Sequence, residues 1–288
     1  MNKLLALFLI VFSSYSFAEQ VVLNDLNGIY TTGDSQSEAI AIILHGTRGH
    51  QNLEIISSLR ESLFENGIDS LTFNLSYGIK NRVNDFLPCD IEHNHSHGGS
   101  IYEIRLWYDY ALKKGYKNIY LIGHSRGGLD IMYFYKTLEE AKQMPIKSLF
   151  LLAPIFNNWD QEINKIEKKY NIHINSLLSQ PDKKLEIDFL GCENITVNSK
   201  IFLSYYVPSG APEYSHVNLR QNLYETSAQV FIITASEDNI AVDTHKLAIP
   251  ISSAKKNIQL NMIDGSDHFF RDLYFDDLMD VILEAITE

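Results

Sequence analysis

The fold is decided by one stretch near the middle of the chain, Ile119-Tyr120-Leu121-Ile122-Gly123-His124-Ser125-Arg126-Gly127-Gly128. A short apolar run leads directly into Gly-His-Ser-Arg-Gly, and the residues that follow favour a helix. This G-x-S-x-G pattern predicts a sharp turn between a strand and a helix, with the Ser125 hydroxyl clear of the backbone. Gly123 and Gly127 flank the serine because a side chain there would collide with a neighbouring strand or helix. A helix that begins at Arg126 points its free N–H groups at the place where negative charge would develop.

Strands and helices are predicted to alternate on both sides of this stretch. The segments Leu53–Glu65 and Ser100–Lys114 have helical spacing, and Ser100 with Glu103 forms a capping-box pattern at the start of the second. Continuous apolar runs are typical of parallel strands that are buried on both faces. We therefore expect an α/β fold, with a mostly parallel central sheet and helices on both faces. The predicted sheet strands are Ala39–Leu44, Ile68–Leu75, Lys117–Ile122, Ile146–Leu152, Gln229–Ala235 and Asn257–Ile263.

The alternation is interrupted between about residues 155 and 226. This segment is richer in Asn, Lys, Glu and Ser, and prolines punctuate it. Short helices are predicted within it at Asp160–Tyr170 and Ser199–Tyr206. We interpret the segment as an insertion that forms a cap over the edge of the sheet, within a single domain.

The N-terminus has the layout of a secretory signal peptide. The basic Lys3 precedes the apolar run Leu4–Phe12, and small and polar residues then lead to Ala18, after which cleavage is predicted. The alternative is a buried first helix or an uncleaved anchor. Residues 1–18 are thus the expected signal peptide and residues 19–288 the mature domain, exported to a bacterial periplasm or secreted.

Composition limits the class of partner. The chain has 288 residues, of which 45% are hydrophobic, and this is enough for one large core. A formal net charge of −12 argues against nucleic acid or an anionic membrane as the main partner. No internal run is long and apolar enough to span a bilayer, so no stable membrane insertion is expected after signal cleavage. The expected partner is a small-molecule or acyl substrate.

Three polar residues come after predicted strands in the order Ser125, Asp238, His268. Because the carboxyl ends of parallel strands meet at one edge of a sheet, their side chains are expected to lie close together. With the Gly-His-Ser-Arg-Gly turn, the segments Asp238-Asn239-Ile240 and Asp267-His268-Phe269-Phe270 make the chain resemble the serine hydrolases of the α/β-hydrolase fold, an esterase- and lipase-like superfamily. The resemblance covers nearly all of the mature sequence.

The resemblance implies a role for each of these residues. Ser125 would attack an acyl carbonyl and form an acyl-enzyme, and His268 would take the hydroxyl proton and return it to the leaving group. Asp238 would hold the imidazole tautomer and stabilise its charged form. Glu237 and Asp160 remain alternatives for the acid.

The segment His45-Gly46-Thr47-Arg48-Gly49 follows the first long apolar run. In the hydrolase fold, the residue after His-Gly at this place donates one oxyanion N–H and the residue after the nucleophile donates the other. The resemblance assigns these donors to Thr47 and Arg126. A tight turn that needs glycine also explains the His-Gly pair, and both interpretations can hold together.

The expected function is cleavage of a carboxylic ester or thioester through an acyl-enzyme on Ser125. An amidase or lipase with the same triad remains an alternative, as does a hydrolase-fold binding protein without turnover. His93, His95 and His97 alternate along one segment, where they could contact the substrate, as could His45, or could bind zinc. A serine triad needs neither metal nor cofactor, so none is expected.

Cys89 and Cys192 are the only two cysteines. In an oxidising compartment an even pair predicts one disulfide bond, which would join the His-rich segment to the insertion. Two separate buried thiols are the alternative.

Overall fold

The computed structural model describes residues 17–33, 37–156, 159–206 and 218–287. The predicted signal peptide therefore lies almost entirely outside the described residues. The strands are β1 Phe17–Leu23, β2 Leu26–Thr32, β3 Ala39–Leu44, β4 Asp69–Phe73, β5 Asn118–His124, β6 Ile146–Leu152, β7 Lys184–Phe189, β8 Cys192–Asn198, β9 Gln229–Ala235 and β10 Ile258–Ile263. The helices are α1 Glu54–Glu65, α2 His97–Lys114, α3 Arg126–Lys136, α4 Glu140–Gln143, α5 Trp159–Tyr170, α6 Ile174–Leu177, α7 Ser199–Tyr206, α8 Leu219–Glu225, α9 Thr244–Ala254 and α10 Leu273–Thr287.

The central sheet has eight strands in the order β1-β2-β4-β3-β5-β6-β9-β10. The six strands from β4 to β10 are mutually parallel, whereas β1 and β2 add antiparallel strands at one edge. This confirms the predicted α/β architecture with a mostly parallel sheet. β5 lies in the interior of the sheet, so the turn at its carboxyl end is surrounded by the ends of its neighbours.

Each face of the sheet has its own apolar core. Side chains on β5 alternate between them, because successive residues of a strand point to opposite faces. Ile119 and Leu121 belong to the core that contains Trp107 of α2, and Ile122 belongs to the core that contains Phe150. All of these side chains are fully buried. Helices therefore cover both faces, as the continuous apolar runs predicted.

The start of α2 differs from the prediction. Ser100 was expected to cap the helix, but the helix begins at His97 and is capped by Ser96, whose hydroxyl accepts from the Gly99 N–H at 3.2 Å. Glu103 makes no capping contact, and its carboxylate instead accepts hydrogen bonds from the Ser76 N–H and hydroxyl. The capping-box prediction was wrong because a second serine lies one turn earlier, before two glycines that resemble a loop.

Within the insertion, α5, α6, β7, β8 and α7 enclose a third apolar cluster that includes Ile187, Phe189 and Phe202. The helices at its two ends agree with the predicted segments. The antiparallel hairpin β7–β8 was not predicted.

The predicted disulfide bond between Cys89 and Cys192 is confirmed. Their Cα atoms are 5.5 Å apart, and the bond joins positions separated by 103 residues. It attaches the segment before α2 to the first residue of β8. In the described part of the chain, no helix has the length and apolar character needed to cross a membrane.

Candidate active site

Ser125 occupies the turn between β5 and α3 with φ 56° and ψ −120°, a conformation that residues other than glycine rarely adopt. The glycines around it permit this turn. A Cβ atom at Gly123 would lie 2.3 Å from the carbonyl oxygen of Gly127, and one at Gly127 would lie 2.6 Å from that of Leu44 in β3. The helix therefore packs directly on the strands, and Ser125 is presented at the carboxyl edge of the sheet.

His268 and Asp238 form a buried pair beyond the ends of β10 and β9. The His268 Nδ1–H donates to Asp238 Oδ2 at 2.7 Å, and the two side chains are 4% and 5% exposed. The other carboxylate oxygen of Asp238 accepts from the N–H groups of Ile240 and Ala241 at 2.7 and 2.8 Å. The imidazole is thereby held with its proton on Nδ1 and its lone pair on Nε2.

Hydrogen bonds stabilise the negative charge of Asp238. Burial alone would raise the pKa of its carboxyl, but the hydrogen bonds from His268, Ala241 and Ile240 outweigh burial, and the pKa is lowered. Asp238 is therefore a carboxylate at neutral pH.

The two alternative acids lie elsewhere. Glu237 is exposed, and its backbone N–H donates to the carbonyl oxygen of Ser266. Asp160 lies in the first turn of α5, and its side chain falls outside the described part of the chain. Of the predicted acids, only Asp238 bonds to His268 among the described residues.

His124 connects the serine turn to His268, a contact that the sequence analysis missed. Its Nε2–H donates to the backbone carbonyl of His268 at 2.9 Å, and the two ring centroids are 4.9 Å apart. Burial and the neighbouring His268 lower the pKa of His124 to about 4, so the ring is neutral at pH 7. Because His124 directly precedes Ser125, this bond brings the serine and histidine segments together.

The two predicted oxyanion donors belong to segments that adjoin Ser125. A Cβ at Gly46 would lie 3.0 Å from the Ser125 Cβ, so the loop that carries Thr47 packs on the serine. Arg126 is the first residue of α3, where the backbone N–H of a helix has no partner within the helix. The role of Thr47 and Arg126 as oxyanion donors stays a prediction.

His45 and Arg82 hold that loop in place. His45 is 1% exposed; its Nε2 accepts from the Leu75 N–H at 3.2 Å, and its Nδ1–H donates to the Gly46 carbonyl at 2.8 Å. Burial and the nearby Arg82 lower its pKa to about 3. The buried Arg82 guanidinium donates to the carbonyls of Leu75 and Gly49. The ring nitrogens of His45 are engaged by the backbone, which leaves neither for a substrate.

The other three predicted contact histidines are also buried. His93 Nδ1 lies 3.3 Å from His95 Nε2, and His95 Nδ1 lies 2.9 Å from the Tyr205 hydroxyl in α7. His97 Nε2 lies 2.6 Å from Asp130 Oδ1 in α3. The segment therefore packs between the insertion and the helix that follows Ser125. Among the described residues no group of three or more His, Cys, Asp or Glu side chains is arranged to hold a metal ion.

The disulfide bond adjoins residues 45–49, which we call the oxyanion loop after their predicted role. A guanidinium N–H of Arg48 points at both sulfur atoms, and the backbone N–H of Arg48 donates to the Tyr77 hydroxyl at 3.2 Å. Arg48 has a positive φ of 57°. One residue of the loop thus contacts the bond that fastens the insertion.

Comparisons with known proteins agree with this architecture. A family model described as alpha/beta hydrolase of unknown function (DUF915) matches residues 92–186. No curated protein sequence matches the chain significantly.

Three solved structures with the same fold illustrate the similarity. Est1E from Butyrivibrio proteoclasticus, with ferulic acid bound, has a TM-score of 0.65 at 19% identity and covers 94% of this chain and 100% of its own. A putative hydrolase from Agrobacterium vitis S4 has a TM-score of 0.61 at 14% identity, with 95% and 99% covered. The Pyrococcus furiosus esterase Pf2001 has a TM-score of 0.58 at 14% identity, with 95% and 91% covered.

Proposed function

The chain has the α/β-hydrolase fold, and on that premise we propose that it is a serine hydrolase that cleaves carboxylic esters or thioesters. One observation carries the proposal. The buried His268–Asp238 pair, bonded at 2.7 Å, is joined through His124 to the strained turn that presents Ser125. A binding protein without turnover has no need of a carboxylate that fixes one imidazole tautomer beside such a turn.

The proposed reaction has two halves. His268 Nε2 takes the Ser125 hydroxyl proton as the oxygen attacks the acyl carbonyl, and the amide groups of Thr47 and Arg126 stabilise the resulting oxyanion. The alcohol or thiol leaves with the proton from His268, and the acyl group stays on Ser125. Water then attacks the acyl-enzyme with the same base and releases the acid. Asp238 stabilises the imidazolium in both halves.

The insertion at residues 155–226 is proposed as the cap that shapes the substrate site. Its helix α7 supplies Tyr205, which lies against both His95 and Arg126. Export to an oxidising compartment, periplasmic or extracellular, is also proposed. The disulfide bond supports it, because such bonds are rare in reducing cytosol.

The proposal is tested by turnover of p-nitrophenyl acetate and butyrate, with an ester of ferulic acid added because Est1E is seen with ferulic acid bound. We expect Ser125→Ala to remove measurable turnover and to prevent labelling by a fluorophosphonate probe. Ser179→Ala is the matched control, because Ser179 is an exposed serine of the insertion. Equal turnover by wild type and Ser125→Ala would refute the proposal.

The same assay separates the alternatives. A binding protein would turn over no member of an ester, thioester and amide panel and would leave Ser125 unlabelled. An amidase would hydrolyse the amides at rates comparable with the matched esters.

A further inference from the structure

The side chain of Arg126 is buried beside Ser125, and no carboxylate of the described residues pairs with it. The residue is 7% exposed, and its Nε–H makes a long hydrogen bond of 3.4 Å to the Thr47 hydroxyl. Its Nη1 group is fully buried and has no hydrogen-bond partner in the described chain. None of the described carboxylates forms an ion pair with it; Asp130, one turn further along α3, is paired with His97.

The guanidinium lies where three parts of the candidate site meet. Arg126 is the first residue of α3, Thr47 belongs to the oxyanion loop, and the ring of Tyr205 in the insertion has its centroid 5.5 Å from the guanidinium carbon. A group attached to an acyl carbonyl that occupies the oxyanion site is therefore near the guanidinium. The tyrosine face stabilises the cation but supplies no acceptor for Nη1.

A buried guanidinium with an unpaired N–H is unfavourable until an acceptor arrives, and carboxylate is the acceptor that best matches its geometry. The charge of the whole chain, −12, would not attract an anion by itself. We propose that Arg126 binds a carboxylate on the acyl part of the substrate, so that the enzyme prefers esters of dicarboxylic acids. This inference rests on the proposed esterase function.

The test compares esters that differ only in a terminal carboxylate or methyl group. Monoethyl succinate is paired with ethyl butyrate, and monoethyl glutarate with ethyl pentanoate. Hydrolysis of each ester is measured by the ethanol that it releases. We expect a higher kcat/KM for the anionic member of at least one pair. Arg126→Gln should lower that anionic-to-neutral ratio roughly tenfold or more, the loss of a charge-assisted hydrogen bond. Arg126→Lys should retain part of the preference, because it keeps the charge but not the planar donors.

The ratio is the decisive quantity because the oxyanion donor of residue 126 is a backbone N–H. Any disturbance of the oxyanion site changes kcat/KM for both esters of a pair, so its effect cancels in their ratio. Arg220→Gln, which removes the charge of an exposed arginine in α8, should leave the ratio unchanged.

A second measurement does not depend on turnover. In the Ser125→Ala protein, sodium glutarate should raise the unfolding temperature, and the additional change Arg126→Gln should remove that shift. A ratio that stays the same in Arg126→Gln, or a wild-type preference for the neutral esters, would overturn the inference while leaving the esterase proposal intact. Absence of Ser125-dependent turnover of all four esters and of the p-nitrophenyl esters would instead refute the proposed function.

Discussion

At the scale of single residues, the orientation of one imidazole is the feature on which the proposed chemistry depends. Asp238 accepts the Nδ1–H of His268 with one oxygen and two backbone N–H groups with the other. An amide in its place can still accept from the backbone, but its NH₂ group would then face His268 Nδ1. The imidazole would move its proton to Nε2 and lose the base that Ser125 needs.

We therefore expect Asp238→Asn to lower kcat by roughly 10³- to 10⁴-fold, with a much smaller change in KM. The measurement is steady-state hydrolysis of p-nitrophenyl butyrate. Glu237→Gln removes the neighbouring, exposed carboxylate and is the matched control. If Glu237→Gln lowers kcat more than Asp238→Asn does, Glu237 and not Asp238 is the residue that orients His268.

At the scale of secondary-structure elements, the contact of α3 with the strands depends on two glycines with no room for a side chain. A methyl group at Gly123 would overlap the Gly127 carbonyl at 2.3 Å, and backbone atoms cannot move aside as a flexible side chain can. We expect Gly123→Ala to lower the unfolding temperature strongly and to remove esterase activity together with fluorophosphonate labelling.

Gly98→Ala is the control for that experiment. Gly98 lies in the first turn of α2, and no atom lies within 4 Å of the position that a Cβ would take there. Alanine in a helix should be neutral or stabilise by up to about 1 kcal/mol. Equal stability of the two alanine variants, measured by urea unfolding, would show that the turn is not close-packed.

The elements of the central sheet were predictable because burial on both faces leaves continuous apolar runs such as Ala39–Leu44. The hairpin β7–β8 was missed because its strands lie in a polar insertion and β8 does not alternate regularly between buried and exposed residues. The signal that could have identified it is the alternation of polar and apolar residues in Lys184–Phe189, followed by a glycine at 191. In the structure Leu190 and Gly191 form the turn, both with positive φ.

The candidate site was also predictable in part, because the order of the strands determines some of its contacts. Ser125, Asp238 and His268 follow strands whose ends a parallel sheet must bring together. The contacts of His124, Arg82 and the Arg126 side chain depend instead on the course of loops between those strands. No spacing in the sequence encodes that course.

The disulfide bond acts between elements, since it fastens β8 to the segment before α2. Because the two cysteines are 103 positions apart in the sequence, the chain-entropy model gives a stabilisation of about 4–5 kcal/mol. We expect the double variant Cys89→Ser, Cys192→Ser to lose stability of that order and to raise KM more than it lowers kcat, because the insertion and Arg48 lose their attachment while the His268–Asp238 pair does not.

Urea unfolding with and without dithiothreitol measures this prediction. Reductant should destabilise the wild type to the level of the double variant and leave the double variant unchanged. Thiol titration of the denatured, unreduced protein first establishes that no free thiol is present. If reductant then leaves the stability of the wild type unchanged, the predicted contribution of the disulfide bond is wrong.

At the scale of the whole molecule, several imidazoles are buried in their neutral form. Burial is the largest cause for each, and it lowers the pKa of His45 and His95 to about 3 and that of His124 to about 4. In the unfolded chain each would titrate with a pKa near 6.5. As the pH falls below that value, these histidines become protonated in the unfolded state but stay neutral in the folded state. The stability that is present above pH 6.5 is therefore lost progressively as the pH approaches the folded pKa values.

We therefore expect the free energy of unfolding to fall steeply between pH 6.5 and 5, by as much as about 1.4 kcal/mol per pH unit for each such histidine once its unfolded form is protonated. Below pH 5 the slope should lessen, because burial raises the pKa values of Asp69 and Glu103 and these carboxyls take up protons in the folded state first. Urea unfolding with the disulfide intact measures the profile. His124→Asn should reduce the slope by the amount that corresponds to about one proton taken up on unfolding. His173→Gln changes an exposed side chain and should leave the slope unchanged. A free energy of unfolding that stays constant from pH 7 to 5 would mean that the buried imidazoles bind protons without loss of the fold.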